Sequence, residues 1–168
     1  MQPEARSGHG AGVQARPLAE LLACPTGTGN LLNAVVQCID VDAGNTVFRQ
    51  GENCRGLYVV VSGQFLRRTE RLDTRLTLGV ARAGNLVELA AALGDGRHTY
   101  TLTAQVAGSL LLLLPMDALN QAFETCPRLQ MQLLEELARE VSRGYDATCQ
   151  NRASKTRPGC IRAPSEQA

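Results

Sequence analysis

Val47-Phe48-Arg49-Gln50-Gly51-Glu52-Asn53-Cys54-Arg55-Gly56-Leu57-Tyr58-Val59-Val60-Val61-Ser62-Gly63 is the most ordered stretch of the chain. An apolar pair leads into Gly51 and an acid, Glu52. A small residue, Cys54, stands two positions later, and an apolar run then ends on Gly63. Tight turns at residues that tolerate positive φ, placed at both ends of a short apolar run, bracket a buried strand.

The same punctuation continues on either side. The runs AVVQCIDV, TVFRQ, LYVVVSG, QFLRRT, TRLTLGVA, TYTLTAQV and SLLLLLPM are separated by Gly44, Gly51, Gly63, Gly84 and Gly108. Short apolar and β-branched runs at spacings of roughly 8–12 residues predict a compact all-β barrel or sandwich. Arg67, Thr69 and Arg75, Thr77 alternate with apolar neighbours, as half-exposed strands do, whereas the leucines at 110–114 predict a buried central strand. ELAAAL at 88–93 is made of helix formers and predicts a short helix. Upstream, Pro17 opens PLAELLAC, a short helix with proline in its first turn; a TGTGN stretch follows, and 31–36 reads as a second helical turn. Past Pro115, MDALNQAFET is one helix, ending before Pro127. A longer helix covers 127–150. Its residues Met131, Leu134, Ala138, Val141, Tyr145 and Thr148 form a heptad-like seam, and Leu133 and Leu137 widen that stripe. Residues 1–16 and 151–168, polar and rich in Gly, Pro and Ser, read as a flexible arm and tail.

Composition narrows the function. A chain of 168 residues suits one domain plus tails. With 17 basic and 16 acidic residues its net charge is +1, which gives no general attraction to nucleic acid or to an anionic membrane. Tryptophan is absent and aromatics are 4%, too few for a base-stacking platform. The six cysteines form no CxxC pair and the two histidines, His9 and His98, match no metal spacing, so no metal site is expected. No apolar leader opens the chain and no run is long enough to cross a membrane, so free thiols in the cytoplasm are expected. No catalytic triad, metal cluster or phosphate loop of GxxxxGK type is seen, and the expectation is that the protein is not an enzyme.

The 47–63 stretch resembles the first signature of the cyclic-nucleotide-binding domain family, with Phe48 where a smaller aliphatic residue is usual. The resemblance implies a mainly β fold: a double-stranded β-helix, or jelly-roll-like β-roll, flanked by short helices. That roll would occupy 17–126, with 127–150 as a C-terminal dimerisation helix. A second stretch, Gly84-Asn85-Leu86-Val87-Glu88-Leu89-Ala90-Ala91-Ala92-Leu93-Gly94-Asp95-Gly96-Arg97-His98-Thr99, is similar to the family's phosphate-binding cassette. By that resemblance Gly84, Glu88, Leu89, Arg97, His98 and Thr99 would meet the ligand. Glu88 would hold the ribose 2′-hydroxyl, and Arg97 would form a bidentate pair with the cyclic phosphate. Val87 stands where the family has glycine, and His98 where it has a small residue. A register shifted by one would put His98 in the arginine slot and Thr99 in the hydroxyl slot, so two registers are open. GNLV followed by AALGDGRH also resembles the fumarate–nitrate type of regulator, which keeps the roll without binding nucleotides; the N-terminal cysteine cluster of that type is absent here.

Plainer readings stand beside these. Glu88 can be an acid favoured by a helix N-terminus, Arg97 a solvated turn residue, and the seam a face packed on the roll. The function expected is that of a small-ligand sensor resembling the effector domains of catabolite-activator and fumarate–nitrate (Crp/Fnr) regulators. Its effector would be a small anion, cAMP or cGMP by the family's example, and it would be a homodimer. No helix-turn-helix pattern follows the long helix, so a stand-alone sensor or a truncated regulator is expected, with no DNA-binding element of its own. The alternative is a ligand-free dimeric scaffold with a degraded cassette.

Overall fold

The structure is a computed structural model that describes residues 18–71 and 74–155, with side chains to residue 145; the arm expected at 1–16 and everything past 155 lie outside the described residues. The glycine-bounded runs make two antiparallel sheets. One joins β1 (Gln37–Val41), β8 (Ser109–Pro115), β3 (Gly56–Ser62) and β6 (Leu86–Val87), in that order. The other joins β2 (Thr46–Phe48), β7 (Thr101–Ala104), β4 (Gln64–Arg71) and β5 (Thr74–Arg82). All five glycines that separate the runs have positive φ, from 67° at Gly108 to 87° at Gly63.

Side-chain alternation on β3 and β8 decides how the layers stack. Tyr58, Val60, Leu111 and Leu113 face the second sheet and meet Phe48, Phe65 and Leu102 in the interior of the roll. Leu57, Val59, Leu112 and Leu114 face the other way, against the helices. Both strands are thus buried on both faces, which is why their sequences are continuous apolar runs instead of alternating ones. The second core is completed by Leu18, Leu32, Leu119, Leu129 and Leu133 from the helices α1 (Leu18–Leu21), α2 (Thr26–Val35), α4 (Met116–Thr125) and α5 (Pro127–Lys155), and by Leu22 from the turn after α1. Each leucine buried so completely stabilises the fold by about 1.5–3 kcal/mol. The architecture is mainly β, a roll of two antiparallel sheets with short helices and a long C-terminal helix.

Three local differences from the sequence-based expectations have physical causes. The second helical turn, placed at 31–36, is a helix from Thr26 that takes in the TGTGN stretch. Gly29 permits this, because a Cβ there would lie 2.6 Å from the Cβ of Ala19 and only a bare backbone lets α1 and α2 touch. The short helix α3 is Leu89–Leu93, with Glu88 just outside it in the left-handed region. Helix α5 runs to Lys155, past the end expected at 150, so the first residues of the tail assigned to 151–168 are helical.

Helix α5 carries two separate stripes. Leu129 and Leu133 are buried and Leu137 half-buried against the helical core. Met131, Leu134, Val141 and Tyr145 are exposed, from 41% at Leu134 to 70% at Tyr145. Leu133 and Leu137 therefore do not widen the seam; they belong to the face that holds α5 on the roll. Thr148, the last seam position, has a side chain outside those described.

Candidate functional site

The 84–99 segment is fastened to the roll at several points. Gly84 N–H donates to Val60 O (2.8 Å), and Val60 N–H donates to Asn85 O (3.0 Å). The Asn85 side-chain oxygen accepts Arg82 N–H at 2.8 Å. β6 then pairs with β3, setting Val87 opposite Tyr58. This pairing turns the Val87 side chain into the roll interior, where it is fully buried. The chain changes direction one residue later: Glu88 has φ 70° and ψ 32°. For a residue with a side chain that geometry costs roughly 1–2 kcal/mol.

What holds Glu88 there is a buried set of partners. Its side chain is fully buried, and both carboxylate oxygens accept the Thr99 N–H, at 3.2 and 3.3 Å. Its own N–H donates to the Tyr100 hydroxyl at 3.1 Å. Burial, with the Glu88 carboxylate adding to it, pushes the Tyr100 hydroxyl well above the ordinary tyrosine range. His98 is buried as well. It stacks on Phe48, and its Nδ1 lies 3.6 Å from Glu88 Oε1 with no hydrogen-bond partner.

Arg97 sits elsewhere. It is exposed, its Nη1 donates to Gly51 O at 3.0 Å, and its backbone forms an isolated bridge with Asn53. With Gly51 N–H donating to His98 O and His98 N–H to Glu52 O, these contacts lace the 49–56 turn to the end of the cassette.

A cavity of about 950 Å³ lies between the cassette and α5. Of the residues singled out from the sequence, Gly84, Glu88, Leu89 and Thr99 line it; Arg97 and His98 do not. Three further wall residues were not singled out as site residues. Tyr100 is one. Arg67 reaches in from β4, its guanidinium carbon 5.8 Å from the Tyr100 ring centroid, a cation–π approach. Glu140 reaches down from α5 and accepts a hydrogen bond from Arg67 Nη1 at 2.7 Å. Signals for both existed. Arg67 shares a strand face with the buried Phe65, two residues before it, and Glu140 continues the Leu133–Leu137 side of its helix. Among the described residues no group of three or more His, Cys, Asp or Glu side chains could hold a metal ion, and no helix is long and apolar enough to cross a membrane.

Residues 39–126 match the family model of the cyclic nucleotide-binding domain, which is more than half of the chain. The chain belongs to that family. No curated protein sequence matches it. Among solved structures it is similar to the catabolite activator protein of Thermus thermophilus, with a TM-score of 0.67 and 23% identity over 82% of this chain and 63% of that one. The sensor domain of the transcriptional regulator DNR from Pseudomonas aeruginosa gives a TM-score of 0.63 and 24% identity, covering 80% of this chain and 89% of that one. The regulatory domain of Toxoplasma gondii PKA, solved with cAMP, gives 0.58 and 22%, covering 64% and 42%. The chain therefore spans less than two thirds of the activator and of the kinase regulatory domain. These likenesses give the fold of this cyclic nucleotide-binding domain.

Proposed function

We propose that this domain is a cytoplasmic effector sensor, and that a small anionic effector, with cAMP and cGMP as the first candidates, binds between the cassette and α5 against Gly84, Glu88, Leu89 and Thr99. One observation carries this reading: the cavity at that place is walled by the cassette on one side and by the long helix on the other. Its volume is that of a small-molecule site. A ligand there touches the roll and α5 together, so its binding free energy acts on how the helix packs. The same reading includes a homodimer through α5, supported by the exposed Met131, Leu134, Val141 and Tyr145. The experiment is a thermal-unfolding titration with cAMP, cGMP and cyclic dinucleotides. A ligand at a hundred times its Kd stabilises the protein by about 2.7 kcal/mol; no shift from any of them at millimolar concentration refutes nucleotide sensing.

A second reading, a ligand-free dimeric scaffold, is favoured by Arg97. That residue, which the family resemblance puts on the phosphate, donates to Gly51 O and does not line the cavity. Under this reading Arg97→Ala changes only stability, and cyclic nucleotides leave the unfolding temperature where it was.

A further inference from the structure

Arg67 is the cation that the β-roll presents to the cavity, and its hydrogen bonding is incomplete. Its Nη1 meets a single oxygen of Glu140, while its Nε is buried and has no partner. A guanidinium offers Nε and Nη2 as a parallel fork, with Nη1 outside it, and an unfilled buried donor is costly. An oxyanion on that Nε–Nη2 edge makes two parallel contacts, where Glu140 makes a single one to Nη1. The position is also built. A bulge between Arg67 and Arg68 leaves Leu78 as an extra residue on β5, and the residue opposite Arg67 is Gly79, whose missing side chain leaves room beside the guanidinium. Bulges re-aim side chains in this way. The other cations of the wall, Arg139 and Arg143, are paired along their own helix with Glu135 and Glu136.

We infer that Arg67 is the anion receptor of this cavity, and that Glu140 is an internal stand-in which a ligand's phosphate or carboxylate displaces, breaking the ion pair that ties α5 to β4. The inference rests on the sensor reading for its location, and it names the chemistry the effector carries: an oxyanion seated on β4 instead of on Arg97. Loss of the Arg67–Glu140 pair on binding then frees the stretch of α5 around residue 140.

The test uses the whole chain and two simple probes, inorganic phosphate and succinate, so that a phosphate-bearing and a carboxylate-bearing effector are told apart. Glu140→Gln keeps the helix and the side-chain shape but removes the competing charge. Calorimetric titration should show it binding one of the probes roughly two- to fivefold tighter than the unaltered protein, the scale of a partly exposed ion pair that no longer competes. Adding Arg67→Gln to it should abolish the gain, and adding Arg97→Gln should leave it intact. Should the Arg67→Gln protein fail to fold, Arg67→Lys keeps the charge but loses the fork, and the gain should still disappear. Equal affinity of Glu140→Gln and the unaltered protein for both probes overturns the inference, and so does a gain that depends on Arg97. Failure of the sensor reading looks different: cyclic nucleotides then bind to none of the variants while the response to the simple probes still depends on Arg67.

Discussion

Phe48 and His98 lie face to face, ring centroids 3.7 Å apart and planes 3° from parallel. They are two of the positions at which the sequence reading expected a smaller residue, one in the 47–63 stretch and one in the 84–99 stretch. The two are in contact with each other: the large side chain on β2 is matched by a flat one stacked on it. Phe48→Ala should cost about 3–5 kcal/mol, as large-to-small changes in a core do. In a double-mutant cycle with His98→Ala, urea denaturation should give a coupling of about 0.5–1.5 kcal/mol. Strict additivity would mean the stacking contributes nothing.

The left-handed backbone at Glu88 makes an unusual ordering of variants. Glu88→Ala and Glu88→Gly both remove the acceptor of the Thr99 N–H, and the alanine form should lose about 1–3 kcal/mol. Glycine adopts φ 70° freely and alanine does not, so Glu88→Gly should be the more stable of the two by about 1 kcal/mol. In an ordinary helical position the order would be reversed. Chemical denaturation of the two proteins decides it.

Leu134→Glu with Val141→Glu tests the outward stripe of α5. Both residues are exposed in the single chain, so the charges should leave the fold's stability nearly unchanged while lowering the mass seen by light scattering from dimer to monomer. An unaltered mass removes the seam from the proposed interface.

Burial pushes the Tyr58 hydroxyl up to about 12. Below pH 10 the side chain is neutral in both folded and unfolded chains and contributes no pH dependence. Between 10 and 12 the unfolded chain gives up its proton while the fold keeps it, so the unfolded state binds fewer protons and stability falls as pH rises. The part of the urea midpoint that Tyr58 governs should hold up to about pH 10 and drop between pH 10 and pH 12, and Tyr58→Phe should flatten that part of the slope. A midpoint indifferent to pH over this range would show that Tyr58 ionises freely in the folded protein.

Much of the fold was legible in the sequence because glycine turns and doubly buried strands leave strong local marks. Gly51 and Gly63 bracket β3, and the leucines at 111–114 are apolar without a break because β8 is covered on both sides. Helix α2 was harder to see: Gly27 and Gly29 argue against a helix locally, and only the contact of Gly29 with Ala19 explains the choice. The cavity was legible by half. Gly84, Glu88, Leu89 and Thr99 lie close together in the chain, so their spacing could be matched to a family pattern. Arg67 and Glu140 are 73 residues apart and meet only through the docking of α5, which spacing along the chain does not record.

The order of strands in the first sheet also governs how the protein can be born. β1 leaves the ribosome early, yet its partner is β8, with Gln37 opposite Leu113. β2 waits in the same way for β7. A nascent chain that has reached residue 100 can close the local β4–β5 hairpin, but β3 then has only the two-residue β6 beside it, and its apolar run lacks both covering faces. The roll must therefore close late and nearly at once, a slow event for so small a protein. During that interval Leu57, Val59 and Val60 are an open sheet edge available to other chains, so slower synthesis at low temperature should raise the yield of folded protein.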